Sequence, residues 1–167
     1  MRPAARGNPA PSESKLKADG RPDAVAVIVL RCGSADTELL VLRRARGAFA
    51  GAWTFVMGLV EESERAPDAA RRELREETGL ALTDLFTAGE LDAFYDPVRD
   101  RIVHVPLFVA RAGDGEIVVE PGVHDDYRWV SFDEAADLLE FSSQRRVLDE
   151  VHRAFVARTP APWRMIR

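Results

Sequence analysis

GLVEESERAPDAARRELREETGL, Gly58 to Leu80, carries a proline and an acidic residue where a helix would begin and a glycine where it would end. Pro67 fits a first helical turn, where the N–H groups lack an intrahelical acceptor, and Asp68 favours the positive end of the helix dipole. Gly79 stands where a left-handed residue closes a helix, so the stretch predicts a helix running to about Thr78. At about 100° per residue, Glu73 and Glu77 fall nearly on one line and Glu76 about 60° to the side. Like charges at this spacing destabilise an isolated helix by roughly a few tenths of a kcal/mol per pair. Two things can compensate them. One is pairing with Arg71, Arg72 and Arg75 on a solvated face. The other is a divalent cation. Oxygen ligands with no Cys or His nearby suit a hard ion such as Mg²⁺ or Mn²⁺, which recruits a few carboxylates together with substrate phosphate oxygens.

Outward from this helix the chain reads as strands on its N-terminal side. Ala24 to Leu30 is a continuous apolar, β-branched run and Glu38 to Arg43 is another, with turn-like residues between them, which predicts a buried hairpin. Trp53 to Met57 reads as a short third strand. On the C-terminal side, Phe86 to Phe94 and Arg101 to Ala110 flank the turn YDPVRD and predict a second pair, with Glu116 to Val119 and Tyr127 to Val130 as shorter strands. Asp133 to Leu139 and Ser142 to Val156 carry helical periodicity; the second places Val147, Leu148, Val151, Phe155 and Val156 on one stripe. Strands and helices in this order predict a mixed sheet covered on both faces.

A chain of 167 residues is long enough for one sizeable core. Its division is expected to be a flexible N-terminal arm at 1–22, a single domain at 23–158 and a tail at 159–167. Hydrophobic residues make up 46% and charged residues 31%, and no apolar run approaches the roughly 18–20 residues that span a bilayer, so a soluble protein without membrane association is expected. A net charge of -5 argues against non-specific binding to a nucleic-acid backbone but leaves room for a metal-bridged polyphosphate. Cys32 is the only cysteine, so no internal disulfide and no Cys-based zinc site can form, which fits a reducing, cytoplasmic location.

Gly58, Glu64, Arg72-Glu73-Leu74, Glu76-Glu77 and Gly79-Leu80 fall at the spacing of the Nudix box, with every defining position filled. The chain from about Asp23 to Phe155 therefore resembles a Nudix hydrolase, and the strand-loop-helix context is the one the residues predict by themselves. The resemblance implies an α/β/α sandwich with a mixed β-sheet, and metal-dependent hydrolysis of a nucleoside diphosphate linked to another group. It implies that Glu73, Glu76 and Glu77 ligate Mg²⁺ or Mn²⁺, that the Gly58 carbonyl joins them, and that Arg72 holds Glu73. It also implies that two copies can pair, although no self-complementary surface is legible. One box carboxylate, or a glutamate from a later loop, would take the proton of the attacking water. The later glutamate is not obvious: Val123 stands about where it is expected, with Glu120 and Asp125 as the nearest candidates for an additional base or ligand. Leu74 and Leu80 read as the apolar side that seats the helix. Glu64 reads as a supporting residue and Glu61 as solvent-exposed. Met57 and Ser63 replace glycines common in the family, departures that bear on substrate choice more than on chemistry.

FAGAWTFVMGLVEESE, YDPVRD, HDDYRWVSFDEA and SSQRR resemble the nucleoside triphosphate pyrophosphohydrolase branch, including the dATP and dihydroneopterin triphosphate type. ADP-ribose or dinucleoside polyphosphate hydrolysis is the alternative, and a non-catalytic nucleotide-sensing module the alternative of another class. For base stacking the candidates are Phe49, Trp53, Tyr95 and Phe141, with Arg43 and Arg44 at a strand end for phosphates. The competing expectation is that aromatics in or beside strands are core, above all Phe55, Phe86 and Phe108. Gln144, Arg145 and Arg146 read as a solvated helix start, and His124 as a structural histidine.

Overall fold

The computed structural model describes residues 20–167 apart from 34, 35, 48, 83, 98 and 114, so the expected arm lies outside the described residues up to residue 19. The β-branched run forms β1 (Ala24–Cys32), which turns back into β2 (Thr37–Arg44) as the expected antiparallel hairpin. After it come β3 (Trp53–Thr54), β4 (Val56–Leu59), α1 (Ala66–Thr78), β5 (Leu85–Asp96), β6 (Arg101–Arg111) and β7 (His124–Val130). Two helices, α2 (Phe132–Leu138) and α3 (Ser142–Val151), precede a π-helical turn at His152–Val156, a 3-10 turn at Pro162–Arg164 and a last short strand, β8 (Met165–Ile166).

The strands make one eight-stranded sheet in the order β3-β2-β1-β6-β5-β8, with β4 paired to β1 and β7 to β2. Only β1 and β6 run parallel among these pairs, so the sheet is mixed, as the alternation of elements predicts. Strand periodicity sorts β1 to two faces. Ala24, Ala26, Ile28 and Leu30 meet α2 and α3 through Ala135, Leu139, Val147, Leu148 and Val151. Val25, Val27 and Val29 meet α1 through Ala69, Ala70 and Leu74. These are the two cores of an α/β/α sandwich. The register Val25↔Gly58 sets the beginning of the glycine-to-glycine stretch beside the N-terminal half of the central strand.

Four details differ from expectation. The third strand is interrupted at Phe55, whose fully buried ring faces the α3 side. Glu116 to Val119 forms no strand, because its backbone is engaged by α1: Val118 N–H donates to the Thr78 carbonyl and Glu120 N–H to the Glu77 carbonyl. The segment thus satisfies carbonyls that a helix end leaves without partners. The last helix stops at Val151 and widens into the π-helical turn, where Ala157 N–H reaches the His152 carbonyl. Residues 159–167 fold back, and β8 pairs with Leu85 and Phe86 at the sheet edge. No helix among the described residues is long and apolar enough to cross a membrane.

Candidate active site

α1 begins with proline in its first turn and ends on Gly79 at φ 74°, whose N–H donates to the Arg75 carbonyl, so both expected stop signals operate. Its apolar side seats it on the sheet, and the flank of that side turns Glu73 and Glu77 toward β4. Gly58 is required there. A Cβ on this residue would lie 1.8 Å from the Glu73 Cδ, so the strand admits the carboxyl only because the side chain is missing.

Arg72 is the hub of the site. Its Nε and Nη2 donate to the two oxygens of Glu64 at 3.0 and 2.9 Å, a bidentate pair. Nη1 reaches Glu73 at 2.6 Å and Glu76 at 3.1 Å, and Nη2 also donates to the Leu59 carbonyl at 2.8 Å. One guanidinium therefore ties the loop before α1 to the helix, and these partners raise its pKa, the bond to Glu64 most. The pairing expectation is met for Arg72, whereas Arg71 turns to Asp68. Glu73 titrates above its ordinary value because it is buried, an effect Arg72 only partly offsets.

Glu77 is a separate case. It is 3% exposed, accepts the Met57 N–H at 3.1 Å, and has no share in Arg72. Burial pushes its pKa up to about 8, the Met57 bond opposes this, Glu73 and Glu120 add repulsion, and Arg44 attracts. Arg44 lies across β2 and β7 from His124. Its Nε is buried without a partner, as is the His124 Nδ1, and burial together with Arg44 lowers the His124 pKa to about 4. Glu120, one of the two additional carboxylates foreseen, is joined to Glu77 through the backbone. The other, Asp125, is turned away to Arg43 at 2.7 Å.

On the other face of the sheet, Trp53 is half-buried between Arg128, 4.7 Å from its ring, and Arg43 at 5.8 Å. Phe49 is exposed and meets Phe141 edge-to-face at 5.1 Å. Phe55 and Phe108 are buried core, as expected. Tyr95 stands exposed near the tip of the β5–β6 hairpin, its hydroxyl donating to Asp100, and is not gathered with the others. Gln144 departs from expectation. It is 2% exposed instead of solvated, and its Nε2 lies 2.9 Å from the Met57 Sδ. Arg145 donates to the Leu139 and Glu140 carbonyls, and Arg146 is exposed as a helix start would be.

The carboxylates fit a divalent cation in kind. They supply only hard oxygen donors, and Glu77 is a buried acid whose ionised form has too little positive charge around it. Among the described residues no group of three or more Asp, Glu, His or Cys side chains is placed to hold a metal ion by itself, and Arg72 occupies Glu73 and Glu76.

The NUDIX domain model matches residues 20–151. The chain belongs to the Nudix family. It is 30% identical over 129 residues to the asymmetrical bis(5'-nucleosyl)-tetraphosphatase of Rattus norvegicus, covering 74% of this chain and 84% of that protein. It is 35% identical over 114 residues to the CTP pyrophosphohydrolase of Escherichia coli, covering 68% and 78%. The solved E. coli dihydroneopterin triphosphate pyrophosphohydrolase superposes with a TM-score of 0.65 at 26% identity, over 78% of this chain and 94% of that one. The named relatives are hydrolases and the family generally uses divalent cations; this Nudix chain is a hydrolase with the box residues in place.

Proposed function

We propose that this Nudix protein hydrolyses a pyrophosphate bond in a nucleoside or pteridine triphosphate, releasing the monophosphate and pyrophosphate with Mg²⁺ or Mn²⁺. Glu77 carries the reading: a buried carboxylate facing Glu73 and Glu120, with the Met57 N–H as its donor and Arg72 committed elsewhere. Glu73, Glu76 and Glu77, with the Gly58 carbonyl, would hold the ion. The ion, when bound, offsets phosphate charge and lowers the pKa of a water. Arg72 keeps Glu73 and the 59–64 loop in register. Arg44, with an unpaired buried Nε near Glu77, would meet phosphate oxygens of the substrate. Glu120, whose charge repels that of Glu77, would be the one of the two additional carboxylates to take the proton of water, since Asp125 is held by Arg43. Trp53, Phe49 and Phe141 offer aromatic surface for the base, whereas Tyr95 belongs to a separate part of the surface.

Similarity to the rat tetraphosphatase favours a second reading, hydrolysis of a dinucleoside polyphosphate at the same carboxylates. The two are separated by incubating the protein with Mg²⁺ or Mn²⁺ and a panel of nucleoside triphosphates, dihydroneopterin triphosphate, dinucleoside polyphosphates and ADP-ribose, then resolving products chromatographically. Pyrophosphate with one monophosphate is the expected result. Turnover confined to a dinucleoside compound or ADP-ribose replaces the proposed substrate. Metal-dependent binding without turnover makes the protein a nucleotide sensor.

A further inference from the structure

α3 turns Gln144, Val147, Leu148 and Val151 into the protein, and Gln144 is the polar member of that buried stripe. A leucine there would bury comparable volume with no polar group to satisfy. The glutamine instead leaves its Oε1 buried without a hydrogen-bond partner while its Nε2 faces the Met57 Sδ at 2.9 Å. A thioether sulfur can only accept, so the amide must present its N–H₂ to it. An unmet buried acceptor costs free energy, which marks the contact as kept for something other than packing.

Met57 has its other engagement through the backbone of β4. Its N–H is the donor to Glu77, and the next residue, Gly58, is pressed against the Glu73 carboxyl. Side chains of successive strand residues face opposite ways, so the Met57 side chain ties β4 to α3 while the missing side chain of Gly58 admits Glu73 on the α1 side, and the Met57 backbone N–H holds Glu77. Glycine at position 57, common elsewhere in the family, would have no side chain for α3 to grip.

We propose that Gln144 is a positioning residue: through Met57 it sets the height of β4 at which the Met57 N–H meets Glu77 and Gly58 admits Glu73. The inference rests on the proposed function only in taking Glu73 and Glu77 as metal ligands. It makes the metal site sensitive to α3, an element that contributes no ligand.

A double-mutant cycle with Gln144→Leu and Met57→Leu tests it. Met57→Leu keeps the backbone N–H and most of the volume while removing the sulfur. Mn²⁺ affinity is read by calorimetry without substrate, alongside steady-state kinetics. Each single change is expected to weaken Mn²⁺ binding about tenfold and lower kcat comparably, with KM within about twofold. The double variant is expected to be no worse than the poorer single one. Effects that multiply overturn the proposal, as does a KM defect with unaltered Mn²⁺ affinity, which would put Gln144 on the substrate. Unchanged Mn²⁺ affinity and kcat in both variants overturn it too. Should Gln144→Leu fail to fold, Gln144→Met serves as the unbranched replacement with the same outcomes. Wild-type protein that neither binds Mn²⁺ nor hydrolyses any substrate would sink the proposed function itself; active wild type with indifferent variants sinks only this inference.

Discussion

Glu77 decides how stability and activity part company at this site. Its folded-state pKa, about 8, lies above the ordinary carboxylate value, because burial and neighbouring carboxylates disfavour the charge. A group shifted in this direction stabilises the fold fully below its unfolded pKa, and that contribution is lost as pH rises through the folded value. In metal-free protein with chelator, the wild-type melting temperature should therefore fall relative to Glu77→Gln between pH 5 and pH 9, the variant being the more stable at the alkaline end. The same variant should lose about a hundredfold or more in kcat with metal present. Parallel melting curves would refute the burial argument without touching the kinetics. Ser63 makes a smaller, independent case. It sits at φ 65°, a left-handed conformation that costs a residue with a Cβ roughly 1 kcal/mol. Ser63→Gly should raise stability to urea by up to about 0.5 kcal/mol, after glycine's extra unfolded-state entropy is subtracted. A loss of stability would show that the serine side chain has a role of its own.

Element by element, the sequence was most readable where local chemistry acts alone. α1 is bounded by proline and glycine, and the β1–β2 and β5–β6 hairpins follow from apolar runs and turn residues, so their positions needed no tertiary knowledge. Glu116 to Val119 misled because strand-like composition says nothing of where backbone groups find partners, and these found the end of α1. Arg72 shows how an element boundary becomes chemistry. Its fork spans Glu64 and the Leu59 carbonyl on the loop and Glu73 and Glu76 on the helix, contacts that a lysine's single ammonium cannot reproduce together. Arg72→Lys should lower kcat on the order of tenfold to a hundredfold and cost about 1–3 kcal/mol in urea unfolding. Activity close to wild type would mean that Glu73 is held without the loop.

At the scale of the molecule, the site depends on layers that a linear reading cannot superpose. The box announces its own carboxylates, yet Gln144 is invisible as a participant, since a polar residue at a helix start reads as solvated and only the packing of α3 buries it against Met57. Arg128 beside Trp53 is missed for the same reason: only the pairing of β7 with β2 brings the two together. The closing segment is another product of assembly. Arg164, 8% exposed, donates to the Ala88 carbonyl, pairs with Glu150 at 2.8 Å, and packs over Phe155 and Trp163. These contacts join the C-terminal segment, β5 and α3 without including a box residue. Removing the guanidinium strands a buried carbonyl and leaves Glu150, among the described residues, to Arg153, so Arg164→Ala should cost about 2–3 kcal/mol in urea unfolding. At a temperature where the variant stays folded, kcat and Mn²⁺ affinity should remain near wild type, because β4 and α1 keep every contact that shapes the carboxylates. A large kcat loss in fully folded Arg164→Ala would mean that the edge of the sheet also sets the geometry at β4, and that the two faces do not act independently.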